Sequence, residues 1–451
     1  MKRALQTATL LLIAASFLLH WKLAAEAGSL RQDTAVLQLR LICQQRDAEA
    51  LRQQLAAPPA GSGETRATTA PSGSPTQAEQ VRARELLERE VEQVRGLKFL
   101  QPLVYRSMKS AEFKNFLVKK IREEYTPAEV RDYSRSLAMI GLVPEGVDFE
   151  ARVMEVMDEQ VAAFYDQDKG ELYTFTDSPL TGNLNRMILA HEMTHALQDQ
   201  HYHIQRWPLK RKDDDDLVSA HMAVLEGDAT VTMQDIYKRA LHWKTALADL
   251  QTALAQDMGK LARAPRYFRD MLLFPYQEGR AFIEELQRIG GPALVDRAFQ
   301  KPPTSTAQIL HPEKFYPKRQ EPAPAEPEVK TEPGWRRLES NVVGEFGVIV
   351  LLRQYGHETD AAAIAEGWRG DRYAAFEAAG GDGWLFWRSI WASEAAAKRF
   401  ANAYRDVVTR RNVRRQPAVT LELKQNGSRV DVALRTPPAT SETGTAPARK
   451  Q

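Results

Sequence analysis

The stretch Leu184-Asn185-Arg186-Met187-Ile188-Leu189-Ala190-His191-Glu192-Met193-Thr194-His195-Ala196-Leu197 decides how this chain is read. Residues four apart lie one above the other on a single face of an α-helix, so His191 and His195 present their imidazoles to one point, with Glu192 beside them. Leu184, Ile188, His191, His195 and Gln198 share one stripe, and Thr181 or Asn183 is placed to cap the helix start, so both histidines turn inward. The pattern H-E-x-x-H combines two metal ligands with a carboxylate able to take a proton from metal-bound water.

A catalytic zinc ion takes three protein ligands and keeps a fourth position open, so a third ligand is needed. His201 completes His191-x-x-x-His195-x-x-x-x-x-His201, the histidine spacing of metzincins. However, Gln198 stands where a glycine would let the chain leave the helix, and an unbroken helix carries His201 about 240° around from His195. Ser219-Ala220-His221-Met222 is only a faint echo of a Met-turn. The competing ligand is Glu226. Its neighbours Val218, Met222, Leu225 and Ala229 have the spacing of a second helix lying against the first, and the acidic run Asp213 to Asp216 suits that helix's positive N-terminal end. Glu226 is the preferred third ligand and His201 the alternative.

The segments His191-Glu192-Met193-Thr194-His195-Ala196-Leu197-Gln198-Asp199-Gln200 and Leu225-Glu226-Gly227-Asp228-Ala229 together resemble the gluzincin superfamily of zinc metallopeptidases, and more narrowly a group of bacterial extracytoplasmic members. Phe274-Pro275-Tyr276-Gln277-Glu278-Gly279, Pro303-Thr304-Ser305-Thr306-Ala307-Gln308 running into His311-Pro312-Glu313-Lys314, and Gly367-Trp368-Arg369-Gly370-Asp371-Arg372-Tyr373 are similar to phrases of the same group. The resemblance spans roughly residues 98 to 410. It implies a zincin-like (gluzincin) catalytic fold, one zinc ion per chain held by His191, His195 and Glu226, Glu192 as general base, and hydrolysis of a peptide or protein substrate. Many gluzincins carry an acidic residue four positions after the glutamate ligand to orient a histidine. Here that position is Thr230, which leaves Asp228 or Asp199 for the role.

In the chemistry expected of such a site, Glu192 accepts the water proton and later passes it to the departing amine. A donor for the tetrahedral oxyanion is sought among His311, Tyr276 and Tyr173, with His311 the candidate catalytic residue and a structural loop histidine its plainer reading. The alternative to an enzyme is a non-catalytic binding or scaffold protein at the cell envelope that keeps a zincin fold.

Val161 to Tyr165 and Glu171 to Thr176 read as two strands around the turn Asp166-Gln167-Asp168-Lys169-Gly170, giving an α+β fold that is mostly helical, with a small β-hairpin before the metal-binding helix. Ordinary hairpin packing explains these residues; an exposed strand there would also suit an extended peptide. Residues 78–157 read as largely helical, as does the chain after Glu226 to about Phe299, with breaks at Ala264-Pro265 and Phe274-Pro275. The C-terminal α/β subdomain contains a helix over Val342 to Tyr355, an extended segment Trp384 to Trp391, a helix over Ser393 to Val408, and a hairpin joining 418–423 to 430–434 across Asn426-Gly427.

The organisation expected is an N-terminal signal peptide or membrane anchor (1–27), a weak coiled-coil helix (28–57) whose seam at 30–55 would support a weak homo-oligomer, a flexible linker (58–77), the metallopeptidase domain (78–316), an exposed Pro/Glu-rich loop (317–333), the C-terminal subdomain (334–436) and a disordered tail (437–451). Lys2 and Arg3 before the apolar run Ala8 to Leu19 point to export, hence to an extracytoplasmic location with a membrane tether if the segment is retained. The only cysteine, Cys43, cannot form an intrachain disulfide. With 61 basic and 59 acidic side chains the net charge is +2, which leaves no nucleic-acid footprint, and 43% hydrophobic residues over this length support a sizeable core. The run Asp213 to Asp216 lacks the loop pattern of a calcium site and reads as a solvated helix entrance.

Overall fold

The computed structural model describes residues 77–148, 151, 163–176, 183–239, 264–413 and 415–438. The expectations for the signal or anchor segment, the coiled-coil seam, Cys43 and the tail beyond 438 lie outside the described residues. Among the described residues no helix is long and apolar enough to cross a membrane.

The elements run α1 (Gln77–Arg95), β1 (Val104–Met108), α2 (Ser110–Glu124), α3 (Pro127–Ile140), β2 (Ala163–Asp166), β3 (Glu171–Phe175), α4 (Asn183–Tyr202), α5 (Asp215–Arg239), α6 (Arg266–Gln300), α7 (Thr306–Leu310), β4 (Arg336–Asn341), α8 (Gly344–Gln354), α9 (Ala361–Ala365), β5 (Trp368–Glu377), β6 (Gly383–Trp391), α10 (Glu394–Asn412), β7 (Thr420–Asn426) and β8 (Arg429–Thr436). The α+β reading is borne out, with two sheets. Local chemistry sets several boundaries. Thr126 and Glu129 form a reciprocal capping box before α3, Pro127 takes its first turn, and Gly141 ends it at φ 103°. The Asp214 carboxylate accepts the Leu217 N–H at 3.1 Å, so the acidic run does cap and begin α5, but it is not solvated throughout: Asp216 is 3% exposed and accepts the Thr306 N–H at 3.0 Å.

The expected hairpin is present as β2 and β3, paired antiparallel with Phe164 opposite Tyr173. A third strand, β1, joins β3 in parallel, giving the order β1-β3-β2. The helical reading of 78–157 therefore needs correction at Val104–Met108. That strand is five residues long at a sheet edge, with mixed exposure rather than an alternating pattern. Phe164 stacks on Tyr173 with centroids 4.7 Å apart, and Phe113 and Phe175 close around it.

The predicted break at Phe274-Pro275 is also absent. Pro275 sits inside α6, and the interruption comes at Gly291 (φ 65°, ψ −162°), with Pro292 starting the next turn. The C-terminal sheet is antiparallel in the order β4-β5-β6-β8-β7. It is larger than the expected hairpin and extended segment, because β4 and β5 add to both. The Pro/Glu-rich loop is not simply exposed. Ala325 is buried, the Ala323 N–H bonds the Arg369 carbonyl at 2.6 Å, and a Cβ at Gly370 would stand 2.1 Å from the Ala323 carbonyl oxygen. Gly370 thus makes room for the loop to lie on β5.

One apolar core joins α3, α5, α6, α8 and α10 to the inner face of the five-stranded sheet, from Leu137 through Phe274 and Phe346 to Trp387 and Leu434. A second, smaller core packs Leu87 and Val91 of α1 against Ile188, Leu189 and Met193 of α4 and Tyr165 of β2. The helix α4 therefore lies between the small sheet and α5.

Candidate metal centre

In α4 the apolar residues around the H-E-x-x-H motif are buried on every side, which places His191 and His195 in the interior at 4% and 0% exposure. Glu226 of α5 is fully buried opposite them. Its Oε2 lies 3.1 Å from His191 Nε2 and 3.5 Å from His195 Nε2, and the two Nε2 atoms are 3.1 Å apart. Three donor atoms converging in this way form a group able to hold a metal ion. A tetrahedral ion with bonds of about 2.0–2.1 Å sets its ligand atoms about 3.3 Å apart, so the spacing fits such an ion.

The electrostatics follow from burial and from Glu226. Burial lowers His191. Burial also opposes charge on His195, but the Glu226 carboxylate outweighs it and lifts that imidazole to about 9. Burial would raise Glu226, yet the two histidines hold it below the usual carboxylate range. Glu192, 1% exposed, is pushed up to about 8 by burial, despite the nearby His195. Its Oε2 accepts the Tyr165 N–H from edge strand β2 at 2.9 Å. The Tyr165 hydroxyl in turn donates to Asp199 Oδ2 at 2.9 Å.

His201, the alternative ligand, points elsewhere: its Nε2 donates to the Lys98 carbonyl at 2.7 Å. The structure therefore brings Glu226, and not His201, to the two histidines. Of the proposed orienting carboxylates, Asp199 is taken by Tyr165. Asp228 reaches His195 through an intermediary, Gln198, whose Oε1 accepts from His195 Nδ1 at 2.8 Å while its Nε2 donates to Asp228 Oδ2 and the Leu225 carbonyl, both at 3.0 Å.

His311 is engaged by another carboxylate. Its Nε2 lies 2.6 Å from Glu345 Oε1, and Lys314 Nζ holds the other carboxylate oxygen at 3.0 Å. Thr306, at the start of the short helix that ends before His311, bonds Asp216. Asp216 stands ten residues before Glu226 on α5, about 15 Å along the helix. Tyr173 is also elsewhere, its hydroxyl donating to Glu171 at 2.7 Å. The third candidate, Tyr276, does reach the centre. Its buried hydroxyl lies against the Glu226 carboxylate without completing a well-formed hydrogen bond, and Glu226 Oε1 likewise has no partner. Burial, with Glu226 beside it, holds the phenol well above its ordinary pKa.

The packing of α5 on α6 sets this position. A Cβ on Gly227 would stand 2.3 Å from the backbone of Gly279, and one on Gly279 would stand 2.2 Å from the Ala223 carbonyl oxygen. The glycines of Leu225-Glu226-Gly227-Asp228-Ala229 and Phe274-Pro275-Tyr276-Gln277-Glu278-Gly279 thus meet at the crossing of the two helices. Sequence reasoning missed Arg95, whose Nε lies 2.8 Å from Asp228 Oδ1. It continues the four-residue stripe of Leu87 and Val91, an arginine where an apolar residue is expected, and that was the available signal.

No curated protein matches the chain. Residues 332–445 match a family described as a domain of unknown function, DUF8575, which covers the five-stranded sheet and stops short of the metal centre. A solved structure from Chloroflexus aurantiacus, of a candidate hydrolase with a novel fold, is similar at 19% identity and a TM-score of 0.36, covering 52% of this chain and 87% of that one. A likeness that loose carries no inference about fold or activity.

Proposed function

We propose that the protein is a zinc-dependent metallopeptidase of zincin type, acting outside the cytoplasm on a peptide or protein substrate. The observation that carries this reading is the convergence of His191 Nε2, His195 Nε2 and Glu226 Oε2 within 3.5 Å of one another, with Glu192 on the same helix. These residues would hold zinc, which when bound lowers the pKa of a coordinated water toward neutrality and polarises a carbonyl. Glu192 is anchored through Oε2 by the Tyr165 N–H, which leaves Oε1 to take the proton from the attacking water and give it to the leaving amine. In this reading the Tyr276 hydroxyl, beside the Glu226 carboxylate, would donate to the negative oxygen that develops at the scissile carbonyl. Strand β2 is buried along its whole length and its Tyr165 N–H is taken by Glu192, so the exposed strand expected to hold an extended peptide is not found there.

The test measures zinc content and peptide cleavage together. Wild type should carry about one zinc per chain, weakened in Glu226→Ala and unchanged in His201→Ala. Glu192→Gln should keep zinc and lose about 10²- to 10⁴-fold in kcat. Zinc retained with no cleavage of a mixed peptide library, whatever stands at position 192, favours the scaffold reading. Absence of zinc from wild type overturns both.

A further inference from the structure

A histidine can offer Nε2 to a metal ion only if, when neutral, its proton sits on Nδ1, and the hydrogen bond made by Nδ1 decides this. For His195 that partner is the Gln198 amide, 2.8 Å away through Oε1. An amide alone leaves the question open, because its oxygen and nitrogen can exchange places by a flip. Gln198 has no such freedom. Its nitrogen faces two acceptors at 3.0 Å, the Leu225 carbonyl and Asp228 Oδ2, and a flipped amide would set oxygen against both.

Asp228 is 1% exposed, and a carboxylate that deep needs a cation. Arg95 supplies it, with Nε 2.8 Å from Asp228 Oδ1, while its Nη2 reaches Asp296 Oδ1 at 2.8 Å. Arg95 is the last residue of α1, where only Leu87, Val91 and Arg95 itself are buried. A chain of hydrogen bonds therefore runs from one exposed-faced helix to the imidazole of the metal centre, joining residues 133 positions apart at its Arg95–Asp228 link.

We infer that Arg95 and Asp228 are positioning residues: acting through Gln198, they hold His195 with Nε2 turned to the metal, and so make metal affinity conditional on the docking of α1. This rests on the metal-site reading above. An ion pair serving stability alone would leave the affinity of the folded protein for zinc untouched, which separates the two roles.

The experiment titrates zinc into the full chain against a competing chelator. In parallel, the ¹⁵N-histidine spectrum of the cadmium-loaded protein follows the His195 Nδ1–H. Gln198→Met and Arg95→Met should each weaken zinc binding about 10- to 100-fold and expose the Nδ1–H to exchange. Arg95→Lys, which keeps a cation on Asp228, should recover most of the loss. Leu87→Ala loosens α1 without touching the relay and should weaken zinc by a smaller factor. Wild-type zinc affinity and an unchanged Nδ1–H in folded Arg95→Met overturn the inference. If that variant does not fold, the same result in Gln198→Met, which leaves the Arg95–Asp228 pair intact, overturns it equally. Both outcomes presuppose zinc on the wild type; a wild type without zinc overturns the functional reading and this inference together.

Discussion

At the scale of single residues, burial sets the chemistry, and His221 shows this away from the metal centre. It is 5% exposed, lies edge-on to Trp207 with centroids 5.2 Å apart, and has no hydrogen-bond partner at Nδ1. Burial, with Arg319 adding to it, depresses its pKa to about 4. An unfolded chain protonates this histidine near 6.5, so between those values the unfolded state binds more protons than the folded one. The stabilisation from neutral His221 is therefore complete above pH 6.5 and lost as pH falls toward 4. Urea denaturation of wild type and His221→Phe at both ends of that window checks it: wild type should lose about 3 kcal/mol more than the variant. Equal losses would show that His221 carries no such linkage.

Among elements, the crossing of α5 and α6 is the tightest contact beside the centre. Gly279→Ala would drive a methyl group into the Ala223 carbonyl, push the helices apart and draw Tyr276 from Glu226. Overpacking of this kind costs about 1–3 kcal/mol, seen as a lower Tm, whereas Gly380→Ala, with no atom within 4 Å of its Cβ, should be close to neutral. Much of this scale was legible in the sequence. The stripe shared by His191, His195 and Gln198 gave α4 its inward face, the spacing around Glu226 gave α5, and Asn426-Gly427 marked the β7–β8 hairpin. What escaped notice has physical reasons. β1 is too short and too exposed to show a period, and Pro275 reads locally as a helix end although long-range packing carries α6 through it. His311 was drawn into the site by its chemistry alone, since nothing in local spacing reveals that Glu345 claims it. Arg95 showed only as an arginine on the buried Leu87–Val91 stripe, and its partner Asp228, 133 positions along the chain, could not be read from local spacing.

On the scale of the whole molecule, Asp371 ties the sheet to the helical part. Its carboxylate accepts the N–H of Val343 and Gly344 at 3.0 and 2.9 Å and the indole N–H of Trp368 and Trp387 at 2.8 Å each. Gly344, at φ 74°, passes so close to Asp216 at the start of α5 that a Cβ there would meet the carboxylate at 1.9 Å. Asp371→Asn turns one acceptor oxygen into a donor facing an N–H and should cost about 1–3 kcal/mol or more. Because one core spans the sheet and α5, zinc affinity measured near the melting temperature should fall in the same variant; an unchanged Tm would deny Asp371 this linking role.

The placement of the tryptophans gives the molecule an uneven set of optical reporters. Five of its eight, Trp335, Trp368, Trp384, Trp387 and Trp391, stand on or beside the C-terminal sheet, and Trp207 alone among the described residues accompanies the metal helices. Arg435 lies 3.8 Å above the Trp384 ring, while Trp391 stacks on Phe400 at 4.5 Å. Intrinsic fluorescence therefore watches the sheet, and far-ultraviolet dichroism is weighted toward the helices that carry the ligands. The sheet belongs to the larger core and α4 to the smaller one, with α5 packed against α4, so the two melting curves superimpose only while both cores unfold as a unit.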